Sequence, residues 1–296
     1  MSNTTFDNRW QNVIHTWHSN AWLFGVVGFV LGMLAVPAAE QIISETRDLL
    51  AGLVPEAFGI VFTVLIIDRL YRNREKTRRE REAQERLIRA FSSADNATAL
   101  TAVEELRYRG ELQSGLLSGV RMSWKANLKG ADLSGATLVR TNLHKADLSG
   151  ARIVGADLRT IRLNGANLIG ANLENSNMKE SQLRAANLTA VEAMMTDFSD
   201  SLLGNANFTD GNLFTASFRG ASLENVNFYN AVLQGASFEQ AVLIDANLEG
   251  ANLENATMDH RTILPDYKLW TPNTDMTRYT NPDHPDFWQP EWVRDQ

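Results

Sequence analysis

The sequence predicts a mainly β solenoid that is preceded by a two-helix transmembrane hairpin and a helical stalk. Three observations lead to this expectation. A large apolar residue recurs at every fifth position from 128 to 263, two apolar stretches lie within the first 70 residues, and a strongly charged segment separates them from the repeat. The 296 residues are 44% hydrophobic and 21% charged, which is typical of a folded protein.

Composition excludes several classes of site. The chain has no cysteine, so a disulfide framework, a cysteine nucleophile and a thiolate metal site are excluded. The formal net charge of −7 argues against direct nucleic-acid binding. The sequence contains no phosphate-binding loop, dinucleotide fingerprint or nucleophile elbow. We therefore expect no catalytic residues, no cofactor, no metal ion and no enzymatic activity.

The first apolar stretch, residues 21–39, carries no charge. At about 1.5 Å per residue it spans roughly 28 Å, close to the hydrocarbon thickness of a bilayer. Trp17 and Trp22 lie at its start, where aromatic side chains favour the membrane interface. A signal peptide is the alternative, but that class needs a basic leading segment, and here Arg9 is offset by Asp7.

The second stretch, residues 49–67, is interrupted by Pro55 and Glu56. A buried helix of a soluble domain would fit its short uncharged part. A membrane span is favoured because Pro55 suits the first turn of a helix and because a basic run follows. Glu56 would then be either a functional intramembrane carboxylate or an interfacial side chain that reaches water.

The distribution of basic residues predicts the topology of the hairpin, which we place at residues 20–70. Nine Lys or Arg and four Glu lie between positions 69 and 89, whereas the loop between the two stretches holds one basic residue. Basic residues stay on the cytoplasmic side. We therefore expect a cytoplasmic segment at 1–19, contact with membrane lipid through residues 21–67, and both termini in the cytoplasm.

Residues 71–124 are predicted to form a helical stalk and an N-terminal cap for the solenoid. In the second part of this segment, Ser93 or Asp95 can cap a short helix and Gly110 can end it. Its apolar stripe consists of Leu100, Val103 and Leu106.

The repeat itself occupies residues 125–263. Its 28 positions at five-residue spacing hold eighteen Leu, five Phe, two Met, two Ile and, as the one exception, Ala193. Two residues before each stands a small residue, usually Ala. Neither a helical nor a strand period explains this spacing, which indicates a repeat architecture. Val191 and Ala193 reverse the small and large positions, which conserves volume, and Ile161 replaces a small residue.

Four such quintets form one coil of twenty residues, which predicts about seven coils and a height of roughly 34 Å at about 4.8 Å per coil. A column of six asparagines and one aspartate recurs at this twenty-residue spacing, and its side chains could stack along the surface. Phenylalanines obey the same period and should stack inside, on two opposite faces. The surface ladder is Asn127, Asp147, Asn167, Asn187, Asn207, Asn227 and Asn247, and the core ladders are Phe198, Phe218 and Phe238, with Phe208 and Phe228.

The pattern Ala-(Asp/Asn)-Leu-x-x over residues 126–263 resembles the pentapeptide repeat family. The resemblance implies a right-handed quadrilateral β-helix in which the Leu, Phe and Ala side chains point inward. Residues 63–70 and 87–110 are similar to the anchor and stalk of membrane-attached bacterial members. By this resemblance the chain is expected at the bacterial inner (plasma) membrane.

The segment after the repeat differs from it in composition. Five of the seven prolines lie between positions 265 and 290, together with Trp270, Phe287 and Trp288. We expect residues 264–296 to form an extended tail that caps the last coils. A tail that binds a partner is the alternative.

The first half of the repeat is basic and the second half is acidic, and this difference bears on the choice between two candidate functions. Positions 125–190 hold nine basic and five acidic residues, and positions 191–263 hold two and ten. The favoured function is a non-catalytic, membrane-tethered scaffold that presents the rod to an unknown cytoplasmic protein. The alternative is mimicry of DNA toward a nucleic-acid enzyme such as gyrase, as in soluble members of the family.

One face of the rod carries apolar residues at outward positions: Val154, Met194, Phe214 and Val232. Contiguous exposed apolar surface is typical of an interface, so this face is the candidate site for a partner or for a homo-oligomer. Coverage by the tail, or simple tolerance of surface apolar residues, are the other two interpretations.

Overall fold

The computed structural model describes the backbone of residues 43–121 and 126–294, and the side chains from residue 59 onward. Helix α1 is Ile43–Phe91 and helix α2 is Asn96–Tyr108. Two short helices near the C-terminus follow the coil: α3 is Thr277–Thr280 and α4 is Glu291–Arg294. The chain divides into two compact units, residues 1–77 and 78–296.

Helix α1 overlaps the C-terminal part of the transmembrane hairpin predicted for residues 20–70. The described residues do not show this hairpin. The first predicted span, 21–39, lies outside the described residues. Within the described part of the chain no helix combines the length and the apolar character needed to cross a bilayer. Helix α1 continues past residue 70 through the basic run, where ion pairs such as Glu82–Arg78 at 2.8 Å support it.

Helix α2 has a side-chain cap at its start and a backbone cap at its end. The Asp95 carboxylate accepts a hydrogen bond from the backbone N–H of Thr98 at 2.9 Å, which identifies Asp95 rather than Ser93 as the N-cap. Gly110 has a left-handed φ of 69°, and the backbone N–H of Glu111 donates to the Leu106 carbonyl at 2.8 Å. This is the Schellman arrangement, and it explains why the helix ends at Tyr108.

The coil consists of parallel single-residue β-bridges rather than longer strands in the described residues. The bridges join residues twenty apart, from Asn127 with Asp147 to Ser237 with Thr257. Each coil has four such positions and therefore four faces. Between faces the chain makes a tight turn, such as the one closed by the Ala131 N–H and the Leu128 carbonyl at 3.0 Å. The third residue of the turn, such as Gly130, has a positive φ, as a type II turn requires.

The inside of the coil is filled as the five-residue spacing predicts. The Leu and Phe positions from 128 to 248 are at most 2% exposed, and the small residues before them are buried. Several small positions are Ser or Thr, and their hydroxyls donate to carbonyls: Thr196 Oγ1 donates to the Leu173 carbonyl at 2.8 Å and Ser201 Oγ to the Met178 carbonyl at 2.8 Å. These bonds allow polar atoms in an apolar core. Ile161 is 1% exposed, in the same column as the small residue Ser181.

The N-terminal end of the coil begins earlier than residue 125. Leu112 and Leu117 are fully buried, and their carbonyls accept hydrogen bonds from the Thr137 N–H at 2.9 Å and the Thr141 hydroxyl at 2.7 Å. Arg121 forms a parallel bridge with Asn142. The two leucines are five residues apart, but the step from Leu117 to Leu128 is eleven, so the strict period does not reach them.

The register of the repeat slips once at the C-terminal end. Val242 bridges Ile263, which is 21 residues away rather than twenty. Thr262 and Leu264 are buried, at 0% and 1% exposed, so Leu264 rather than Ile263 occupies the inward position. The extra residue lies in the turn after Met258, where the Asp259 carboxylate accepts a hydrogen bond from the Arg261 N–H at 3.0 Å. The prediction of an unbroken register to residue 263 is therefore wrong for the last quintet.

Candidate functional site

The four residues of the predicted interaction face have different exposures in the structure. Phe214 and Val232 are exposed, at 41% and 39%, whereas Val154 and Met194 are half-buried. Sequence analysis missed Met195, which is 51% exposed and occupies the turn corner next to Met194. A signal for it exists in the sequence, because the turn corners of this repeat are mostly Gly, Asn or Asp.

The coil geometry brings part of this set together. The Met195 N–H donates to the Phe214 carbonyl at 3.0 Å, so these two residues lie on adjacent coils of one face. Val232 follows on the next coil, where it bridges Asn212. Val154 is separated from Met194 by the coil that carries Glu174. The structure therefore brings Met194, Met195, Phe214 and Val232 into one apolar group and leaves Val154 outside it.

The core beneath this group is irregular. Ala193 is the one small residue at a central inward position, and Val191 takes up the volume two residues earlier. Both are fully buried. On the next coil the position that corresponds to Val191 is Gly211, where an added Cβ would lie 3.3 Å from Val191 Cγ1. The interchange of small and large residues at 191 and 193 thus extends to a third position.

The C-terminal tail contacts the last coils. The Trp292 Nε1–H donates to the Asp245 carbonyl at 2.9 Å, and the Gln289 amide donates to the Glu249 carboxylate at 2.8 Å. The Gly250 N–H donates to the Thr280 carbonyl at 2.8 Å. These described contacts lie at residues 245–250, and they support the interpretation that the tail caps the end of the coil.

A buried ionic group holds the tail in this arrangement. The Asp266 carboxylate, whose side chain is 8% exposed, accepts hydrogen bonds from Lys268 Nζ at 2.8 Å and from the Tyr279 hydroxyl at 2.8 Å. Burial acts to raise the pKa of Asp266, but these hydrogen bonds and the charges of Lys268 and Arg278 outweigh it and hold the pKa below its ordinary value. Burial and the Asp266 contact raise the pKa of Tyr279, so the tyrosine stays a donor.

The surface column of amides acts mainly within its own turns. In each quintet the side-chain oxygen accepts a hydrogen bond from the backbone N–H two residues later, as in Asn187 with Thr189 at 3.1 Å and Asp147 with Ser149 at 3.0 Å. Side-chain bonds between neighbouring coils join Asn167 to Asp147 at 3.1 Å and Asn247 to Asn227 at 3.0 Å. The preference for Asn and Asp therefore reflects turn formation as much as stacking.

The described residues offer little that could carry out chemistry. No group of three or more His, Asp or Glu side chains there is placed to hold a metal ion. A groove of 540 Å³ lies between the end of α1 and α2, and its lining includes Leu87, Ala90, Ala102 and Glu105. It is lined mainly by alanine and charged side chains and contains no candidate nucleophile with a base.

Comparisons with known proteins identify the repeat. A family model described as pentapeptide repeats matches residues 126–165, 161–191 and 221–259 in eight copies. No curated protein matches the chain.

Solved structures that resemble the chain include two described as pentapeptide repeat proteins, HetL and Rfr23, and a third, QnrB1. HetL, involved in heterocyst differentiation regulation in the cyanobacterium Nostoc, is 21% identical, with 57% of this chain and 98% of HetL covered and a TM-score of 0.27. QnrB1, a plasmid-mediated fluoroquinolone resistance protein, is 17% identical over 60% and 87% of the two chains, with a TM-score of 0.36. Rfr23 from the cyanobacterium Cyanothece is 25% identical over 54% and 98%, with a TM-score of 0.18.

The similarity to this family lies in the sequence match to part of the coil. The matched residues all lie in the part of the chain in which bridges recur every twenty residues, and the bridges also continue through residues 192–220, which the family model does not match. Residues 126–191 and 221–259 are therefore similar to pentapeptide repeats, and they lie in a coil with four faces and twenty residues per turn.

Proposed function

We propose that this chain is a non-catalytic scaffold that presents its coil to protein partners. The observation that carries the proposal is the exposed apolar group of Met195, Phe214 and Val232 on a regular, hydrogen-bonded face. Each coil is bonded to the next through its backbone, so the surface positions are fixed relative to one another. A fixed surface with an apolar centre is suited to protein recognition, because little conformational entropy is lost on binding.

A photo-cross-linking scan of the full chain tests this function. A photoreactive phenylalanine analogue is placed at an outward position of each face in turn, at Ile169, Phe214, Arg159 and Arg184, and at the inward position Phe218 as the matched control. The proposal expects adducts with a defined protein, identified by mass spectrometry, from one face and none from Phe218. Equal adducts from all four faces, or none from any, would contradict it.

The second part of the proposal is a tether to the bacterial inner (plasma) membrane, with both termini in the cytoplasm. The uncharged residues 21–39 support it, as do exposed apolar side chains on α1, among them Ile60 at 66% and Phe62 at 65% exposed. The basic run that follows from Arg69 would lie at the cytoplasmic surface, where anionic headgroups attract Lys and Arg. Helix α1 would contact lipid through residues up to 67.

Reporter tags test the tether. Tags inserted after residue 45 and at residue 296 of the full chain should report opposite sides of the membrane, and the protein should stay in the pellet after alkaline extraction. A cytoplasmic signal from both tags would exclude the hairpin, and release at alkaline pH would exclude an integral anchor. Neither outcome bears on partner binding by the coil.

A second candidate function, DNA mimicry, is favoured by the charge distribution. The acidic residues of positions 191–263 lie at outward or turn positions of the coil, as at Glu192, Asp210 and Glu249. A gyrase supercoiling assay with the full chain tests this candidate. Inhibition that is lost when these three residues are changed to their amides would favour mimicry over the scaffold, and no inhibition by the unaltered chain would exclude it.

A further inference from the structure

The face that carries Phe214 has few charged residues at its outward positions. We call it the Phe214 face and define it by the quintets centred on residues 133, 153, 173, 193, 213, 233 and 253. From the second of these quintets to the last, its outward positions contain one basic residue, Arg152, and three acids, Glu174, Glu192 and Glu254. The rest are apolar, amide, threonine or glycine, and none is lysine.

The arrangement of these residues along the face is complementary to itself when one copy is reversed. Two flat faces packed in opposite directions are related by a two-fold axis that lies between them, so that each column of side chains meets the same column of the partner. We place the axis between the coils of Met194 and Phe214. Met194 then meets Phe214 of the second copy, and Glu174 meets Gln234 of the second copy.

The second column fits the same axis. Glu192, which accepts a hydrogen bond from Asn212 in its own chain at 2.9 Å, meets Asn212 of the second copy. At the ends of the contact, Arg152 lies diagonally opposite Glu254 of the second copy. Met194 and Phe214 of the two copies thus come together at the centre, beside Glu192 and Asn212, and Arg152 and Glu254 come together at the rim, where charged contacts are usual in interfaces.

We propose that two copies of this chain pair through the Phe214 face in antiparallel orientation. The parallel orientation is disfavoured by the same columns, because a two-fold axis along the rod exchanges them and would place Phe214 against Asn212, Met194 against Glu192 and Val232 against Gln234 of the second copy, so that each apolar side chain meets a polar one. The tail does not compete for this face through its described contacts, which lie at residues 245–250. The inference rests on the proposed function and deepens it, since the protein partner of this face becomes a second copy.

Engineered cysteines test the orientation, because the natural chain has none. The full chain is prepared with Glu174→Cys, with Gln234→Cys and with both, and is treated with a short bismaleimide. The two positions are three coils apart in one chain, about 14 Å. A bismaleimide whose span is less than this distance cannot join them within one copy. We expect cross-linked dimers from the double variant alone. Dimers from a single variant at equal yield, or none from the double variant, would overturn the proposal.

Matched surface substitutions test the apolar centre. In the double-cysteine background, Phe214→Asp should lower the cross-linked fraction roughly tenfold or more, because an aromatic residue at the centre of an interface carries much of its affinity. The control is Ile169→Asp on a different face, since Ile169 is 42% exposed and Phe214 is 41% exposed. Ile169→Asp should leave the yield unchanged, and an equal loss from both variants would overturn the proposal.

A charge exchange keeps the test decisive if Phe214→Asp perturbs folding. Arg152→Glu and Glu254→Arg should each reduce cross-linking, and the two together should restore it. The two residues lie five coils apart in one chain, about 24 Å, so restoration must come from contact between copies. Failure to restore would overturn the antiparallel register. Adducts with other proteins in the photo-cross-linking scan do not depend on this pairing, so the scaffold function and the dimer can fail separately.

Discussion

Gly211 lies one coil beyond Val191, and a Cβ atom added to Gly211 would be 3.3 Å from Val191 Cγ1. Most other quintets have Ala, Ser or Thr at the position of Gly211. The absence of a side chain there follows from the larger residue at 191, because two branched side chains in one column would exceed the available volume. Gly211 is therefore a packing residue, and its φ lies outside the left-handed region in which glycine is favoured.

This relationship predicts that Gly211→Ala has opposite effects in two backgrounds. In the natural chain it should destabilise by about 1 kcal/mol through crowding against Val191. In a Val191→Ala background the added Cβ keeps its 3.0 Å approach to the Phe208 carbonyl oxygen but no longer meets Cγ1 of residue 191, and alanine should stabilise by up to about 1 kcal/mol because it restricts the unfolded chain. Urea unfolding of the four proteins of this double-mutant cycle measures the coupling. Equal effects in both backgrounds would show that the two positions do not interact.

Phe218 is the centre of the aromatic stack, and its removal should be costly. Its ring centroid is 5.2 Å from those of Phe198 and Phe238, with nearly parallel planes, and it meets Phe208 and Phe228 edge-on at 5.9 and 5.5 Å. Phe218→Ala should lower the free energy of unfolding by about 3–5 kcal/mol. The control is Phe214→Ala, at an exposed position, which should change it by less than about 1 kcal/mol. A loss of less than that at Phe218 would contradict the inward register.

Features that depend on local sequence could be predicted in the coil, and features that depend on contacts between coils could not. The five-residue spacing predicts the inward positions because each must be apolar, whatever its neighbours. The extra residue after Met258 and the early leucines Leu112 and Leu117 are not predicted, because both depend on which coil the chain meets and not on local composition. Met195 was missed although its turn corner is one that Gly, Asn or Asp usually occupies, because only the coil shows that this corner lies beside Phe214.

The expectations for the first 70 residues had a different basis. They depended on hydropathy and on the positive-inside rule, which concern a bilayer rather than packing within the chain. The repeat, in contrast, encodes contacts with itself, and the backbone bonds between coils leave few alternatives. This difference explains why the coil could be predicted to the level of single side chains, whereas the first part of the chain gave helix in the stalk after residue 70 but not an unbroken helix from Ile43 to Phe91.

Thr160 occupies a turn corner that suits glycine. Its φ is 56°, in the left-handed region where a β-branched residue is strained by roughly 1–2 kcal/mol. Thr160→Gly should therefore stabilise the coil by about 0.5–1 kcal/mol, after the greater entropy of glycine in the unfolded chain is deducted. The matched reverse change is Gly170→Thr, where φ is 62° and nothing lies within 4 Å of an added Cβ. It should destabilise by a similar amount in thermal unfolding, and a shift of both variants in the same direction would rule out backbone strain as the cause.

Asn96 connects helix α2 to the open edge of the first coils, and the last prediction concerns this contact. Its amide Nδ2 lies 3.2 Å from the Asn127 carbonyl and 3.1 Å from the Lys129 carbonyl. Two of the carbonyls at this edge of the coil thus receive donors, which protects it from pairing with another chain. Asn96→Ala should lower the free energy of unfolding by about 1–2 kcal/mol, the cost of leaving such acceptors without a donor.

Asn96→Asp distinguishes this contact from an effect on the helix alone. Position 96 is the first residue of α2, where a negative charge is favourable by about 0.3–1 kcal/mol. If only the helix mattered, the aspartate would be better than alanine. Because the carboxylate would instead face two carbonyl oxygens, we expect it to be worse than alanine, and Ala97→Asp, at the exposed next position, to be neutral or slightly stabilising. Urea unfolding ranks the three variants, and light scattering shows whether the uncovered edge leads to association. An aspartate at 96 more stable than alanine would mean that the amide contacts contribute nothing to the cap.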